Sequence, residues 1–195
     1  MAKSIQEYLD ASIEVLAASR QAIAGDDVAR AIDTISDALG QRRCLLVCGN
    51  GGSASDSQHI AGELVGRYLR ERRALKCYAL TADSAVMTAW SNDYSYDDVF
   101  ARQVHAYAEP GGVLLGLSTS GNSENVVRAF QAAKAEAMTT IAMTGEGGGR
   151  LAPLSDILLS VPSKKTPMIQ QVHICLYHYI CECVEKELSE KVQMD

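Results

Sequence analysis

The sequence predicts an α/β fold in which a parallel sheet is covered by helices on both faces. Five short apolar runs are unbroken, as expected for strands that are buried on both sides. Longer stretches with helical periodicity separate these runs, which is typical of successive βαβ units. The predicted strands are residues 44–48, 77–80, 112–117, 139–143 and 157–161, and the predicted helices are 4–24, 26–40, 53–69, 84–90, 96–106, 123–136 and 167–188.

Composition indicates one globular domain spanning 1–195, with two leading helices in 1–41 and an α/β core in 42–195. The formal net charge of −6 disfavours nucleic acid or an anionic membrane as a partner. The N-terminus has acidic residues and no apolar signal region, and the chain has no run of about 18 apolar residues. The six cysteines lack C-x-x-C spacing, which favours buried, reduced thiols. We therefore expect a cytoplasmic protein.

The two leading helices carry apolar residues at helical spacing and no recognisable chemistry. In the first, these residues include Ile5, Leu9, Ile13 and Leu16. We expect the two helices to serve packing, either within the subunit or between subunits.

The turn after the first strand suits an anion. Small residues follow Cys48, and a helix begins close to Ser53, which we expect to cap it. Free N–H groups at a helix N-terminus point at one spot, and glycines let the backbone approach a ligand closely. His59 and Glu63 are four residues apart and share one face of this helix. A phosphate pocket beside a proton-transfer pair or a metal pair is the expected arrangement.

The turn after the third strand, residues 118–123, is dense in hydroxyl groups and also opens a helix, with Ser123 placed as an N-cap or a ligand contact. Either turn alone fits a plain polar helix cap equally well. Two anion-suited turns at one sheet edge, near a point where strand order reverses, favour a ligand site. A dinucleotide site is disfavoured, because Asp83 follows the Gly49-x-Gly51-x-x-Ala54 pattern by about 30 residues instead of about 20. The chain also lacks the G-K-[ST] of a P-loop.

The last helix is apolar and contains polar residues that need partners, among them Gln170, His173 and His178. Each histidine on its own fits a hydrogen-bonded core residue better than a catalyst. Gln170 and His178 are separated by a rise of about 12 Å and a rotation of about 80°, so one ion is hard to reach from both on a straight helix.

Asn92 and Asp93 follow a short helix in a predicted turn, and the glycine-rich 144–149 stretch is predicted to be a loop.

Taken together, these segments resemble the SIS domain family, and more narrowly its sedoheptulose 7-phosphate isomerases, also called phosphoheptose isomerases. The segments that carry the resemblance are 48–53, His59 with Glu63, 66–68, Asn92-Asp93, 115–123, 144–145 and Ile169-Gln170 with His173 and His178. The resemblance implies a five-stranded, flavodoxin-like sheet and a homotetramer with active sites at subunit interfaces. It also implies one zinc ion per subunit, and conversion of sedoheptulose 7-phosphate into D-glycero-D-manno-heptose 7-phosphate for lipopolysaccharide or related glycans.

The resemblance also implies roles for the matching residues. Glu63 is the expected catalytic base and His178 the partner acid. The expected zinc ligands are His59, Glu63, Gln170 and His178. The expected substrate contacts are Asn50, Gly51, Gly52, Ser53, Glu63, Asn92, Asp93, Ser118, Thr119, Ser120, Ser123 and Gln170.

Two alternatives stay open within this family. One is an isomerase of another phosphosugar, and the other is a non-catalytic SIS protein that binds a phosphosugar or the replication initiator. The initiator-associating relative lacks the glutamate and the last histidine, whereas Glu63 and His178 are present here, which favours an enzyme. The chain departs from the family at Met168 and Gln171, where arginine and glutamate are usual, so the charge beside Gln170 differs.

Overall fold

The computed structural model describes residues 4–23 and 25–192. The strands are β1 (Leu45–Gly49), β2 (Cys77–Ala79), β3 (Val113–Ser118), β4 (Thr139–Thr144) and β5 (Ile157–Ser160). The helices are α1 (Ile5–Ala22), α2 (Gly25–Gly40), α3 (Gly52–Val65), α4 (Ser84–Asp93), α5 (Val99–Tyr107), α6 (Glu124–Ala135) and α7 (Thr166–Val192). Two 3-10 turns occupy Tyr96–Asp98 and Gly149–Leu154. All five predicted strands are confirmed, each within a residue or two of its expected bounds.

The five strands form one parallel sheet in the order β2-β1-β3-β4-β5. This is the flavodoxin-like order, and its switch point lies between β1 and β3. Gly49 at the end of β1 is in register with Leu117 in β3, and Ser118 is in register with Thr144 in β4. The turns that follow β1 and β3 therefore begin side by side, as predicted.

Helices cover both faces of the sheet, so the fold has three layers. Alternate residues of β1 point to opposite sides: Leu45 and Val47 pack against α2, α3 and α7, whereas Leu46 and Cys48 pack against α5 and α6. Burial on both faces explains why the strands are apolar without alternation.

Among the described residues, much of the apolar side of α1 is left uncovered. Ile5, Leu9 and Ile13 are 62%, 53% and 63% exposed, while the buried residues of this helix are Ser12 and Ser19. The Ser12 hydroxyl lies 3.6 Å from the sulfur of Met168 on α7. Met168, one of the departures from the family pattern, thus contacts α1 as an apolar residue.

The remaining differences from the prediction have local causes. α3 ends at Val65 instead of residue 69, because the N–H groups of residues 68–70 donate to the Glu185 carboxylate and not to helix carbonyls. α4 continues to Asp93, so Asn92 and Asp93 lie in its last turn and not in a loop. Cys175 is exposed and Cys183 half-buried, while the other four cysteines are buried, and all six are unpaired. Among the described helices, none is long and apolar enough to cross a membrane.

Candidate active site

The turn after β1 exposes the N-terminus of α3. Gly51 occupies the N-cap position with φ of +57°, and no side chain caps the helix. The expectation that Ser53 is the cap is wrong: the left-handed Gly51 turns the chain two residues earlier, and Ser53 lies buried in the first turn. The N–H groups of Ser53 and Ala54 donate to the carbonyls of Asn50 and Gly51 at 3.0 and 2.9 Å. This turn therefore offers an anion the positive end of the helix and the Gly52 N–H, which has no acceptor among the described residues.

The turn after β3 has the same construction. Ser123 occupies the N-cap position of α6, as predicted, but its side chain does not cap the helix. Its hydroxyl instead lies 3.0 Å from the hydroxyl of Ser118 at the end of β3. Thr119 and Ser120 complete the turn, and the Ser120 hydroxyl accepts a hydrogen bond from the N–H of Asn122 at 3.1 Å. Two uncapped helix N-termini therefore lie at adjacent strand ends.

A pair of asparagines ties the two turns together. The amides of Asn50 and Asn125 each donate to the other at 2.9 Å, and the Tyr96 hydroxyl donates to the Asn50 oxygen at 2.8 Å. Asn125 and Tyr96 were not identified from the sequence. Asn125 is a buried polar residue in the first turn of an amphipathic helix. Its place on the apolar side of that helix was the one signal that the sequence offered, because a buried polar side chain needs a partner.

Gln170 of α7 reaches the first turn. A Cβ atom on Gly52 would overlap Gln170 Nε2, so only glycine fits at position 52 without displacing this amide. The helix that carries His178 thus contributes a side chain at the start of α3.

Farther along the same two helices, His59 and Glu63 of α3 meet His178 of α7. One ligand atom from each residue lies within 4.8 Å of the other two. His59 Nε2 is 3.0 Å from Glu63 Oε1, and the rings of His59 and His178 are 5.0 Å apart in an edge-to-face arrangement. We call these three residues the α3–α7 cluster. The structure therefore brings together three of the four predicted metal ligands, while the fourth, Gln170, lies against Gly52.

The α3–α7 cluster fits a divalent transition metal. Two imidazole nitrogens and one carboxylate form the ligand set of many catalytic zinc sites, which keep a position open for substrate or water. The three residues lie on two packed helices, which fixes their spacing.

The opposite nitrogen of His59 contacts a buried tyrosine. The Tyr177 hydroxyl is 2.9 Å from His59 Nδ1 and 3.5 Å from Asp56 Oδ1. Burial raises the pKa of the Asp56 carboxyl, and its polar contact with Tyr177 offsets this only in part. Neither Asp56 nor Tyr177 was singled out from the sequence, because residues 121 apart carry no local pattern.

A buried ion pair joins the ends of α3 and α7 near the cluster. The Glu185 carboxylate accepts from the N–H groups of Tyr68, Leu69 and Arg70 at 2.8, 2.6 and 2.9 Å. The Arg72 guanidinium lies 3.3 Å from Glu185 and donates to the Glu63 carbonyl at 2.7 Å, and both side chains are only 1% exposed. Desolvation favours a raised pKa for Glu185, but the three backbone hydrogen bonds and Arg72 outweigh it and leave the pKa lowered.

The same segment places an aromatic ring on the cluster. Tyr68 stacks on His178 with ring centroids 5.7 Å apart and planes 11° from parallel. Glu185 and Arg72 were missed in the sequence, although a charged residue on the buried side of α7 is a signal in itself.

Two predicted positions, His173 and the Asn92–Asp93 pair, are not part of the α3–α7 cluster. His173 is fully buried and its Nε2 lies 3.2 Å from the Thr144 carbonyl, while burial lowers its pKa to about 4. It is the hydrogen-bonded core histidine that the sequence allowed. Asn92 and Asp93 are exposed, and within the described residues their side chains bond only to each other, at 2.9 Å. The contacts of the single chain do not bring them to the cluster.

Comparisons with known proteins agree with this architecture. A family model described as SIS domain matches residues 7–145. A phosphoheptose isomerase of Helicobacter pylori is 46% identical over 162 residues, which cover 83% of this chain and 84% of that protein. The solved phosphoheptose isomerase of Neisseria gonorrhoeae is 39% identical with a TM-score of 0.85, covering 93% of this chain and 99% of that one. The Francisella tularensis structure is 34% identical with a TM-score of 0.89, covering 93% and 96%. The chain therefore belongs to the SIS domain family, among its phosphoheptose isomerases.

Proposed function

We propose that this chain is an aldose-ketose isomerase that converts sedoheptulose 7-phosphate into D-glycero-D-manno-heptose 7-phosphate, for lipopolysaccharide or related glycans. The observation that carries the proposal is the meeting of Glu63 and His178 beside a turn suited to phosphate. The high identity to phosphoheptose isomerases over most of the chain supports the substrate. Because both proton carriers are present and adjacent, a non-catalytic role is less well supported.

The two uncapped turns hold the substrate in this proposal. The backbone of the first turn and the hydroxyl groups of the second bind the phosphate, which requires no basic surface. An acidic protein can bind an anion in this way. The proposed substrate contacts are Asn50, Gly51, Gly52, Ser53, Ser118, Thr119, Ser120, Ser123 and Gln170, with Glu63, Asn92 and Asp93 on the sugar.

Isomerisation moves the carbonyl between C2 and C1 through an enediol. A base removes the proton bound to C1 and an acid protonates the carbonyl oxygen at C2, which gives the enediol. The base then returns its proton to C2, and the C1 hydroxyl gives its proton back to the acid as the new carbonyl forms at C1. Glu63 is the proposed base and His178 the proposed acid. Their positions on two packed helices hold them within reach of one substrate.

We further propose that His59, Glu63, Gln170 and His178 hold one zinc ion per subunit. When bound, such an ion polarises the substrate carbonyl and stabilises the charge of the enediol. A Glu63 carboxylate held tightly by the ion would be a weaker base, so either the ion would bind transiently, or it would polarise the carbonyl while another group moved the proton. The ligand chemistry of the α3–α7 cluster supports this part of the proposal.

The active unit is proposed to be a cytoplasmic homotetramer in which the whole chain forms one domain and the active sites lie at subunit interfaces. The uncovered apolar side of α1 supports an oligomer, because exposed patches of this kind mark protein interfaces. A largely apolar pocket of about 490 Å³ between α1, α2 and α7 lies next to it. An interface site also explains the separation of Asn92 and Asp93 from the cluster, since these residues then contact substrate from a neighbouring subunit.

Turnover of sedoheptulose 7-phosphate by the purified protein tests the proposal. The aldose product is followed by NMR, with and without added zinc, beside a panel of other ketose and aldose phosphates. We expect the heptose phosphate to be the preferred substrate. Preferred turnover of another sugar phosphate would replace the substrate, and binding without turnover of any would replace the enzyme by a phosphosugar-binding protein.

A further inference from the structure

We infer that Tyr177 is a positioning residue that sets the tautomer of His59. Its hydroxyl donates to His59 when no cation is bound, and to Asp56 when the imidazole ligates a cation. The inference rests on the proposed metal site. It concerns the side of His59 that faces away from the cluster.

The geometry supplies one hydroxyl proton and two acceptors. Tyr177 Oη is 2.9 Å from His59 Nδ1 and 3.5 Å from Asp56 Oδ1. The residue is 1% exposed and Asp56 is 9% exposed, so water does not compete freely for these contacts. A buried phenol needs a partner, and this one has a choice between two.

Without a cation, the observed distances describe one arrangement. His59 Nε2 lies 3.0 Å from a carboxylate oxygen of Glu63, and a carboxylate can only accept, so the Nε2 atom carries the proton. Nδ1 of the neutral ring is then an acceptor, and the Tyr177 hydroxyl donates to it. The longer distance from Tyr177 to Asp56 agrees with a hydroxyl turned toward His59.

A cation ligated by Nε2 requires the other tautomer. Nε2 must then offer a lone pair, so Nδ1 carries the ring proton and donates to the Tyr177 oxygen. The hydroxyl keeps its own proton and rotates to donate it to Asp56. The imidazole loses one proton to solvent at Nε2 and takes one up at Nδ1, so the neutral ring carries one proton before and after.

Tyr177 therefore supports both states of His59, and Asp56 is needed in only one of them. If Tyr177 had no second acceptor, its hydroxyl proton would stay directed at Nδ1. It would then conflict with the proton that Nδ1 carries in the metal-bound tautomer, and metal binding would be weaker. This gives the buried Asp56 carboxylate a role that the phosphate site and the proton carriers do not require.

Zinc affinity and tautomer state together test the inference. Zinc is titrated into the metal-free protein at pH 8 against a competing chelator, and nitrogen-15 NMR of labelled histidines reads the protonated ring nitrogen, with His59→Gln for assignment. We expect Tyr177→Phe to lower zinc affinity about 10–100-fold, as for other residues behind a metal ligand. Asp56→Asn should lower it less, because the amide oxygen still accepts. Tyr179→Phe, an exposed tyrosine on the same helix, is the control and should bind zinc like the wild type.

In the wild type, His59 should be protonated at Nε2 without metal and at Nδ1 with zinc. Zinc binding unchanged by Tyr177→Phe, or a His59 that is protonated at Nδ1 in both states, would overturn the inference. A wild type that binds no zinc would overturn the metal site and this inference with it. That failure is recognised in the wild type itself, without any variant. If Tyr177→Phe does not fold, the wild-type tautomers and Asp56→Asn still decide.

Discussion

The two halves of the proposed site are built in different ways. The phosphate half consists of backbone and hydroxyl groups in two turns that each follow a strand, so neighbours in sequence are neighbours in space. The chemical half, the α3–α7 cluster, joins His59 and Glu63 to His178, more than 100 residues away, and depends on how two helices pack. We expect changes in the first half to affect mainly substrate binding. Changes in the second half should affect mainly the chemical step.

The largest effect is expected from Glu63→Gln, which keeps the shape and removes the base. Loss of a general base costs typically 10²–10⁴-fold in rate, so kcat should fall by about that factor while KM changes only a few-fold. Steady-state kinetics with sedoheptulose 7-phosphate measures both parameters. Glu71→Gln, on an exposed carboxylate of the following segment, should leave both unchanged. A Glu63→Gln enzyme that keeps a tenth of the wild-type kcat would place the base elsewhere.

The support of the chemical half is tested by Arg72→Met. Removal of one partner from a buried ion pair costs about 3–5 kcal/mol, because the other charge is left buried and unpaired. Urea unfolding at fixed protein concentration should therefore show a loss of about this size. The matched control is Arg67→Met, whose partner Glu71 is 90% exposed and whose loss should cost less than about 1 kcal/mol. Equal losses of unfolding free energy for the two arginines would show that the buried Arg72–Glu185 pair matters no more for stability than the exposed pair.

The phosphate half is tested by Gly52→Ala, whose methyl group would meet the Gln170 amide. Overpacking of this kind costs about 1–3 kcal/mol, which corresponds to roughly 5–150-fold weaker phosphosugar binding if the strain falls on the bound state. Calorimetry with sedoheptulose 7-phosphate, or inhibition by inorganic phosphate, measures the change. Gly62→Ala is the control in the same helix, since its added methyl meets no atom within 4 Å. Equal substrate binding by Gly52→Ala and Gly62→Ala would contradict the placement of the phosphate site at the start of α3.

His173 lies where α7 meets the sheet edge, and it predicts a pH dependence of stability. Its pKa falls from 6.5 to about 4 on folding, because burial disfavours the charged ring. The unfolded chain therefore binds a proton between these values that the folded protein does not, so stability is full above pH 6.5 and declines as the pH falls toward 4. Between pH 7 and pH 5 the decline attributable to His173 should be about 2 kcal/mol.

The variant His173→Gln isolates this term. A glutamine amide can still donate to the Thr144 carbonyl but does not titrate, so the difference in unfolding free energy between pH 7 and pH 5 should shrink by that amount. The other histidines and carboxylates titrate in both proteins and cancel in the comparison. An unchanged difference would show that His173 is not held neutral.

The sequence predicted the phosphate half better than the chemical half, and the reason is physical. Strand ends, glycines and hydroxyls are local, so apolar periodicity and turn composition located both turns and their common edge. The prediction that Ser53 caps α3 was wrong, because Gly51 adopts a positive φ and starts the helix earlier. A backbone conformation of this kind leaves no pattern in the sequence. The spacing of His59 and Glu63 on one helix paired these two residues, but His178 was joined to them only through resemblance to a family. Tyr177, Asp56 and the Glu185–Arg72 pair were missed because their roles exist only after α3 and α7 pack.

The central claim is that the α3–α7 cluster moves a proton between C1 and C2 of a phosphosugar held by the two turns. Isomerisation of sedoheptulose 7-phosphate in deuterium oxide tests it most directly, with the product examined by NMR for deuterium at C2. The account predicts that the wild-type product carries deuterium at C2, because the proton on Glu63 exchanges with solvent during the enediol stage, and that Glu63→Gln binds the substrate without converting it. Conversion of the substrate by Glu63→Gln at a rate near that of the wild type would contradict it, since hydrogen would then move between C1 and C2 without this base.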